Sequence, residues 1–395
     1  MSVAVRDPIH GSIRLDDWAL PLIDSPVLQR LRRVQQLGTA HLVYPGAHHK
    51  RFEHSLGAHH LAGRLADGLG LEDDAARTVR AAALLHDVGH GPFSHAFEEL
   101  VKEEGRRHEE TSQDLIRWGP LADLLRQGGL DPVTVSDAVG GKGPHAPVVS
   151  GSLDADRMDY LLRDAHYTGM RSNVDVDRLV EVVLRDPKHG IVLDESGTIA
   201  AEALLTMRFL MYPAVYLHHT VRASEGMLLA AIRAYVRDGH SSLAGLERET
   251  DDGLLARLRA VGGVPAELVG RLDERRLYKR AREGRPDEAD LPLVKDMQQR
   301  PASRHRIEAE VAEAAGVPAH HVIVDVPKPP KFREAGLHVR SKDGTLKPLA
   351  DASGLVRVMQ DARMDHWRWW VFAPKQDREA VGLAAERVLG LEKAK

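Results

Sequence analysis

The densest run of potential metal ligands in the chain is Leu84-Leu85-His86-Asp87-Val88-Gly89-His90-Gly91-Pro92-Phe93-Ser94-His95. The apolar stretch Ala81 to Leu85 predicts a helix that delivers an adjacent imidazole and carboxylate, and Gly89, Gly91 and Pro92 then end it. Neighbours on a helix point about 100° apart, so His86 and Asp87 share an ion only if it sits in a crevice between helices. The other ligands must come from elsewhere in the chain, and His54 and Asp156 are candidates. A lone histidine of this kind is more often a hydrogen-bonded core residue; a set this size reverses the balance. Two imidazoles and two carboxylates suit Fe, Mn, Co or Zn and suit calcium poorly.

Composition narrows the classes. The 395 residues are 43% hydrophobic, enough for one large domain or one with an appendage. Lys plus Arg 54 against Asp plus Glu 58 gives a net charge of −4, so no global basic field favours nucleic acid. The absence of cysteine excludes disulfides, thiolate zinc sites and thiol catalysis. Ten of the 22 histidines lie between His41 and His108, which concentrates the chemistry there. Met1 to Asp7 lacks a signal-peptide layout, and the most apolar stretch, Ala200 to Tyr216, contains Glu202 and Arg208. The expectation is a cytoplasmic protein without a membrane partner. No GxxxxGK[ST] loop occurs, which argues against P-loop chemistry.

The elements that must position these residues are mainly helical. Ser25-Pro26 predicts a helix start, with Leu28, Leu31 and Val34 carrying it to Gly38. Further helices are expected from Arg51, over about 75–87 and 94–104, from Trp118 to Gly129, and from Leu153 onward. Ile191 to Gly197 reads as a hairpin with Ile199, Glu202 to Arg237 as a long helix broken at Pro213, and 244–290 as charged helix. Strands are expected at 321–326, 337–340 and 369–372, before a terminal helix. Trp367, Trp369 and Trp370 with Arg368 offer base stacking, but alternation and net acidity favour a partly buried strand. The predicted fold class is mainly α: a helical body over 1–290, its core about 50–170, and a small α+β lobe over 291–395.

At the level of motifs the chain resembles the HD-domain deoxynucleoside triphosphate (dNTP) triphosphohydrolases. The similarity runs through DPIHG at 7–11, RLRRVQQLG at 30–38, PGAHHKRFEHSLG at 45–57, HDVGHGPFSHAFE at 86–98, LDADRMDYLLRDAHYTG at 153–169, VYLHH at 215–219 and RRLYK at 275–279. The resemblance implies hydrolysis of a dNTP to deoxynucleoside and triphosphate. His54, His86, Asp87 and Asp156 would hold the transition metal, with Mg on the nucleotide. His95 matches the histidine that protonates the departing 5′ oxygen, His90 one that contacts the α-phosphate, and His108 one that orients His95 through an acid, here Glu98. Arg51 matches a phosphate contact, Arg157 replaces a phosphate-binding lysine, and His219 replaces another. Gln36 and Asp164 match residues that hold the 3′-hydroxyl; Tyr160, Tyr216 and Leu37 match those that reject a 2′-hydroxyl.

A second set, Asp24, Gln29 and Arg32 with Arg275 and Lys279, matches an activator site for GTP or dGTP between subunits, which implies a homo-oligomeric dimer or tetramer. On their own, basic helix faces of this kind are ordinarily just solvated. The family's nearby N-terminal lysine is replaced by Val3. Two rivals stand beside the dNTP reading. One is an HD phosphohydrolase acting on nucleoside monophosphates, modified nucleotides or phosphodiesters. The other is a nucleotide- or nucleic-acid-binding regulator with a vestigial site.

Overall fold

Helix α1 (Arg51–Gly68) is the element around which the site is assembled. Its Phe52, Leu56, Ala58, Leu61, Ala62, Leu65 and Ala66 recur at three- and four-residue spacing and are all buried. Each leucine so buried contributes roughly 1.5–3 kcal/mol. Against this helix pack α2 (Asp73–Leu85) on one side and α5 (Ala155–Thr168) on another. Two short helices, α3 (His95–Glu103) and α4 (His108–Arg117), follow the turn that ends α2. The computed structural model describes residues 3–103, 107–288, 290–331 and 336–390. Position 104 of the expected 94–104 helix lies outside them.

The fold is mainly α, as expected. Three small sheets flank the helices. Strands β1 (Val3–Asp7) and β2 (Gly11–Leu15) form an antiparallel hairpin. Strands β3 (Val183–Asp186), β4 (Gly190–Asp194), β7 (His338–Arg340) and β8 (Leu346–Pro348) form a sheet in that spatial order. Strands β5 (Lys279–Gly284) and β6 (Ile323–Asp325) flank a central β9 (Trp369–Ala373). The second sheet joins strands from either side of residue 290, and so does the third.

Three local expectations are corrected. The Ser25-capped helix does not reach Gly38: it tightens to 3₁₀ at Arg30–Arg33 and ends at Val34. Gln35 turns extended there because its N–H bonds the Asp251 carboxylate and its backbone bridges Lys50. The 190–194 strand pairs backward onto β3, not forward onto Ile199. The Asp186 carboxylate accepts from the N–H groups of Lys188 and His189 and closes that turn, while Ile199 sits in helix α6 (Thr198–Met211). The tail of the 244–290 tract is strand β5, whose charges are tolerated because it lies on a sheet edge. Arg282 pairs with Glu288 over the Trp369 ring. The Trp367–Trp370 segment is buried, so its indoles are not available for base stacking.

After α6 the chain makes one π turn, Tyr212–Tyr216, at Pro213, then resumes as α7 (His219–Arg237). Glu195–Tyr216 is long and apolar enough to cross a membrane by composition, yet much of it is packed inside the fold and its Glu202 and Arg208 are hydrogen-bonded.

One buried charge network ties α3, α7 and β6 together. Arg222 bonds Glu225, Glu99 and Asp325 at 2.9, 3.1 and 2.6 Å. Three carboxylates thus share the Arg222 guanidinium. Burial, with Glu99 and Asp325 nearby, pushes Glu225 up to about 7 against the pull of Arg222, while Arg222, Arg304 and Arg233 hold Glu99 below its usual value against its own burial. A carboxyl raised in the fold contributes stability that is present below its unfolded value and lost as pH rises through about 7. Thermal unfolding of wild type and Glu225→Gln at pH 5 and pH 8 checks this. The variant should gain on the order of 2 kcal/mol relative to wild type at the higher pH.

Candidate active site

Helix α2 ends where the sequence turns to Gly89, and the reason is a close approach. A Cβ on Gly89 would stand 2.4 Å from the His108 carbonyl oxygen and 2.5 Å from the Ser112 nitrogen. Only glycine lets α4 come this near. Ser112 then locks the contact, its hydroxyl accepting from Gly89 N–H at 2.9 Å and donating to the His86 carbonyl at 2.7 Å.

Four ligand-type side chains converge beneath this turn. His54 Nε2 lies 3.2 Å from His86 Nε2, 3.1 Å from Asp156 Oδ1 and 3.7 Å from Asp87 Oδ2. His86 Nε2 is 3.2 Å from Asp87 Oδ1 and 3.6 Å from Asp156 Oδ1. The other ring nitrogens are taken: His54 Nδ1 by Asp159 at 2.8 Å, His86 Nδ1 by the Ala83 carbonyl at 2.7 Å. Both Nε2 atoms therefore face the shared centre, as metal-binding imidazoles do. Burial works against a charged His54, yet the Asp156, Asp159 and Asp87 carboxylates push it up to about 10. Such a field favours a cation at this point. The set can hold a divalent metal.

Behind the ligands stands a buried support. Asp159 bonds His54, receives His10 Nε2 at 2.7 Å and is gripped by Arg163, which also bonds Asp7 at 2.8 Å. The DPIHG segment thus braces a ligand from behind. Helix α1 makes room with Gly57, where a Cβ would fall 1.8 Å from Asp159 Oδ1 and 2.5 Å from an Arg163 nitrogen. Gly57→Ala is expected to cost roughly 2–4 kcal/mol by splitting a buried ion pair, seen as a lower denaturation midpoint together with weaker metal retention. Unchanged unfolding would show that α1 and α5 part freely.

A second cluster lines the crevice. The His90 and His108 rings stack at 3.8 Å. Glu98 joins the remaining pair, with Oε1 2.7 Å from His108 Nδ1 and Oε2 3.3 Å from His95 Nδ1. Burial would raise Glu98, but these two histidines hold it well below the carboxylate range. His95 remains 68% exposed while its neighbours are enclosed, so it faces solvent and incoming ligand. Arg51 pairs with Asp87, donates to Ser94 Oγ and approaches His95 Nε2 at 3.4 Å. Burial alone would raise Asp87; Arg51, His86 and His90 keep it ionised.

Beyond the centre, α5 carries Asp156, Tyr160 and Asp164 four residues apart, one stripe along the crevice. Asp164 is held by His49 at 2.8 Å and Tyr216 at 2.7 Å. Gln36 is buried with its Oε1 lacking a partner among the described residues, and Leu37 packs against the core beside it. Arg157 turns back to the Gly151 and Ser152 carbonyls. His219 stacks on His218 at the start of α7, and burial with Arg280 lowers it to about 4. Gln29 bonds Arg32, whose guanidinium lies over the Phe52 ring, and Arg275 bonds the Leu42 carbonyl. Asp24 and Lys279 are exposed. No hydrogen bond or ion pair among the described residues joins the Asp24, Gln29, Arg32 group to Arg275 or Lys279.

Sequence reasoning missed four contributors. Arg208 bonds the Tyr160 hydroxyl at 3.3 Å, and its signal was a lone cation inside an apolar helix. His49, Asp159 and Asp251 act through other residues: His49 reads in sequence only as a residue behind the ligands or on the surface, Asp159 as one of the surplus carboxylates of the 153–164 stretch, and nothing marks Asp251.

With this geometry in view, the comparisons are decisive. An HD-domain model matches residues 51–123, and an HD-associated-region model matches residues 174–395, more than half the chain. An uncharacterized protein of Methanocaldococcus jannaschii, MJ1154, is 32% identical over 381 residues, covering 94% of this chain and 79% of that one. The chain belongs to the HD-domain phosphohydrolases. A deoxynucleoside triphosphate triphosphohydrolase SAMHD1 homolog of Dictyostelium discoideum is 32% identical over 264 residues, 58% of this chain and 49% of its own length. The chain thus spans about half of that relative. The crystal structure of a phosphohydrolase from Bacteroides thetaiotaomicron superposes with a TM-score of 0.75 at 25% identity, covering 94% of this chain and all of that one.

Proposed function

We propose that this HD phosphohydrolase cleaves dNTPs to deoxynucleoside and inorganic triphosphate. The observation that carries the reading is the Tyr216–Asp164–His49 chain beside the open Gln36 Oε1, one α5 stripe away from the ligand cluster. That pairs a polar seat for a sugar hydroxyl with a phosphoryl-cleaving centre. His54, His86, Asp87 and Asp156 would hold the ion, which when bound supplies a polarised phosphoryl oxygen and water acidified toward neutrality. Exposed His95, held by Glu98 and through it by His108, gives its proton to the departing 5′ oxygen. His90 and Arg51 face the α-phosphate, and Gln36 and Asp164 take the 3′-hydroxyl. Tyr160, Leu37 and Tyr216 close the space that a 2′-hydroxyl needs. Arg157, Arg208 and His219 serve the outer phosphates, with Mg on the triphosphate.

GTP or dGTP at Asp24, Gln29, Arg32, Arg275 and Lys279 activates a homo-oligomer, the nucleotide joining groups that a single chain leaves apart. Cytoplasmic dNTP is the corresponding substrate pool. One observation favours a second reading: Arg157 is tied to its own loop and His219 is neutral near pH 7, so two outer-phosphate charges are reduced. That suits nucleoside monophosphates, modified nucleotides or phosphodiesters. Chromatography of products from each dNTP and NTP with Mn or Mg, with and without GTP, separates the readings. Deoxynucleoside plus triphosphate supports the first; turnover confined to monophosphates or diesters supports the second.

A further inference from the structure

A second convergence of imidazoles and a carboxylate lies away from the crevice. His320 and His321 form the short turn that feeds β6, and Glu267 faces them from helix α9 (Gly263–Asp273). His320 Nε2 is 3.1 Å from Glu267 Oε2, and His321 Nε2 is 3.8 Å from Glu267 Oε1. Each of the three offers a ligand atom within 4.8 Å of the others. A tetrahedral zinc with bonds near 2.1 Å places its ligand atoms about 3.4 Å apart, between these two separations.

The surroundings orient the donors. Asp377 Oδ2 sits 2.7 Å from His321 Nδ1, which puts the proton on that nitrogen and leaves Nε2 with its lone pair toward Glu267. A carboxylate behind the ring is the usual partner of a metal-ligating histidine. Tyr278 donates to the His320 carbonyl at 3.1 Å and pins that turn. Arg271 donates to Glu267 Oε1 at 3.0 Å, which fixes the carboxylate and leaves Oε2 beside His320. Side-chain exposures of 40, 21 and 13% for Glu267, His320 and His321 keep the group open to dissolved ions. The contacts of Glu267 with Arg271 and the imidazoles also serve as an ion-pair network; what points to a metal is that both Nε2 atoms converge on one carboxylate while Asp377 takes His321 Nδ1 from behind.

We infer that Glu267, His320 and His321 form a second divalent-metal site, taking zinc or a similar imidazole-preferring ion, with water completing the coordination. The site is independent of the crevice and of the proposed substrate. It fastens α9 to the turn before β6 and, through Asp377, to the start of helix α10 (Arg378–Val388). Two histidines and one carboxylate, with Arg271 opposing a cation, make the site weaker than a four-ligand structural zinc site.

Zinc alone is the probe, and bound zinc per chain after equilibrium dialysis is the measurement. A background of His86→Ala with Asp87→Ala removes two crevice ligands; Glu98, His108 and Glu109 stay as a further candidate group, so the second site is read by difference. That background should bind at least one zinc and melt a few degrees higher with it. Adding His320→Ala and His321→Ala should remove one bound zinc per chain and the shift that goes with it. Asp377→Asn, which leaves the ligands in place, should weaken zinc binding 10–100-fold. Zinc uptake unchanged by the two histidine substitutions, or absent from the background itself, overturns the assignment. Neither result bears on dNTP hydrolysis by the wild-type chain.

Discussion

His86→Ala and Asp87→Ala should each reduce phosphohydrolysis by at least about a thousandfold and strip metal from the crevice. The size follows from what each removes. An ion at such a site acts on both the attacking water and the phosphoryl oxygen, and no side chain supplies that combination. Asp87 does more than ligate: it balances Arg51, so its loss leaves a buried guanidinium without its carboxylate. Asp87→Ala should therefore also lower stability by roughly 3 kcal/mol, whereas His86→Ala, which sits at a helix end, should cost less. Metal content, kcat with a responsive substrate and a denaturant midpoint separate these effects. Full activity in both variants would restore the vestigial-regulator reading.

The convergence of His54, His86, Asp87 and Asp156 was legible because metal chemistry leaves few substitutes for histidine and aspartate, and because the helix-ending glycines fix where His86 and Asp87 fall. Glu98 was legible only through resemblance, since a glutamate in the first turn of α3 looks like a helix-dipole partner. Its contact with both His108 and His95 is visible only once residues ten apart are brought together. The body helices could be read from three- and four-residue apolar spacing. Strand β5 could not, because Lys279, Arg280, Arg282 and Glu283 carry no strand signal and are held by pairing with β9. The hairpin misread at 191–199 has the same origin: local alternation gives a strand but not its partner. Asp251 was invisible, and the partners of His49 and Asp159 were too, for a different reason. A buried residue that orients another one has no composition or period of its own, only a distance.

Asp251, 5% exposed at the start of helix α8 (Asp251–Ala260), makes that last point testable. Its Oδ1 accepts the Phe93 N–H at 2.6 Å and its Oδ2 accepts the Gln35 N–H at 2.7 Å. Phe93 and Ser94 have φ of 56° and 52°, a left-handed pair of non-glycine residues that costs free energy and persists only if held. Ser94 Oγ donates to the Gln35 carbonyl while receiving Arg51, so one carboxylate clamps the turn that carries His95 to the extended Gln35 that leads into Gln36. Each oxygen serves a separate donor, and an amide therefore has no orientation that satisfies both. Asp251→Asn must place its NH2 against one buried N–H and should cost about 2–4 kcal/mol, nearly as much as Asp251→Ala. Both variants should retain crevice metal, because none of the four proposed ligands touches Asp251, yet lose roughly ten- to a hundredfold in kcat as His95 and Gln36 drift. A variant Asp251→Asn with wild-type stability and kcat would mean that the Phe93–Ser94 turn holds itself. Metal lost along with activity would instead place the defect in the fold of the crevice, not in the alignment of the turn.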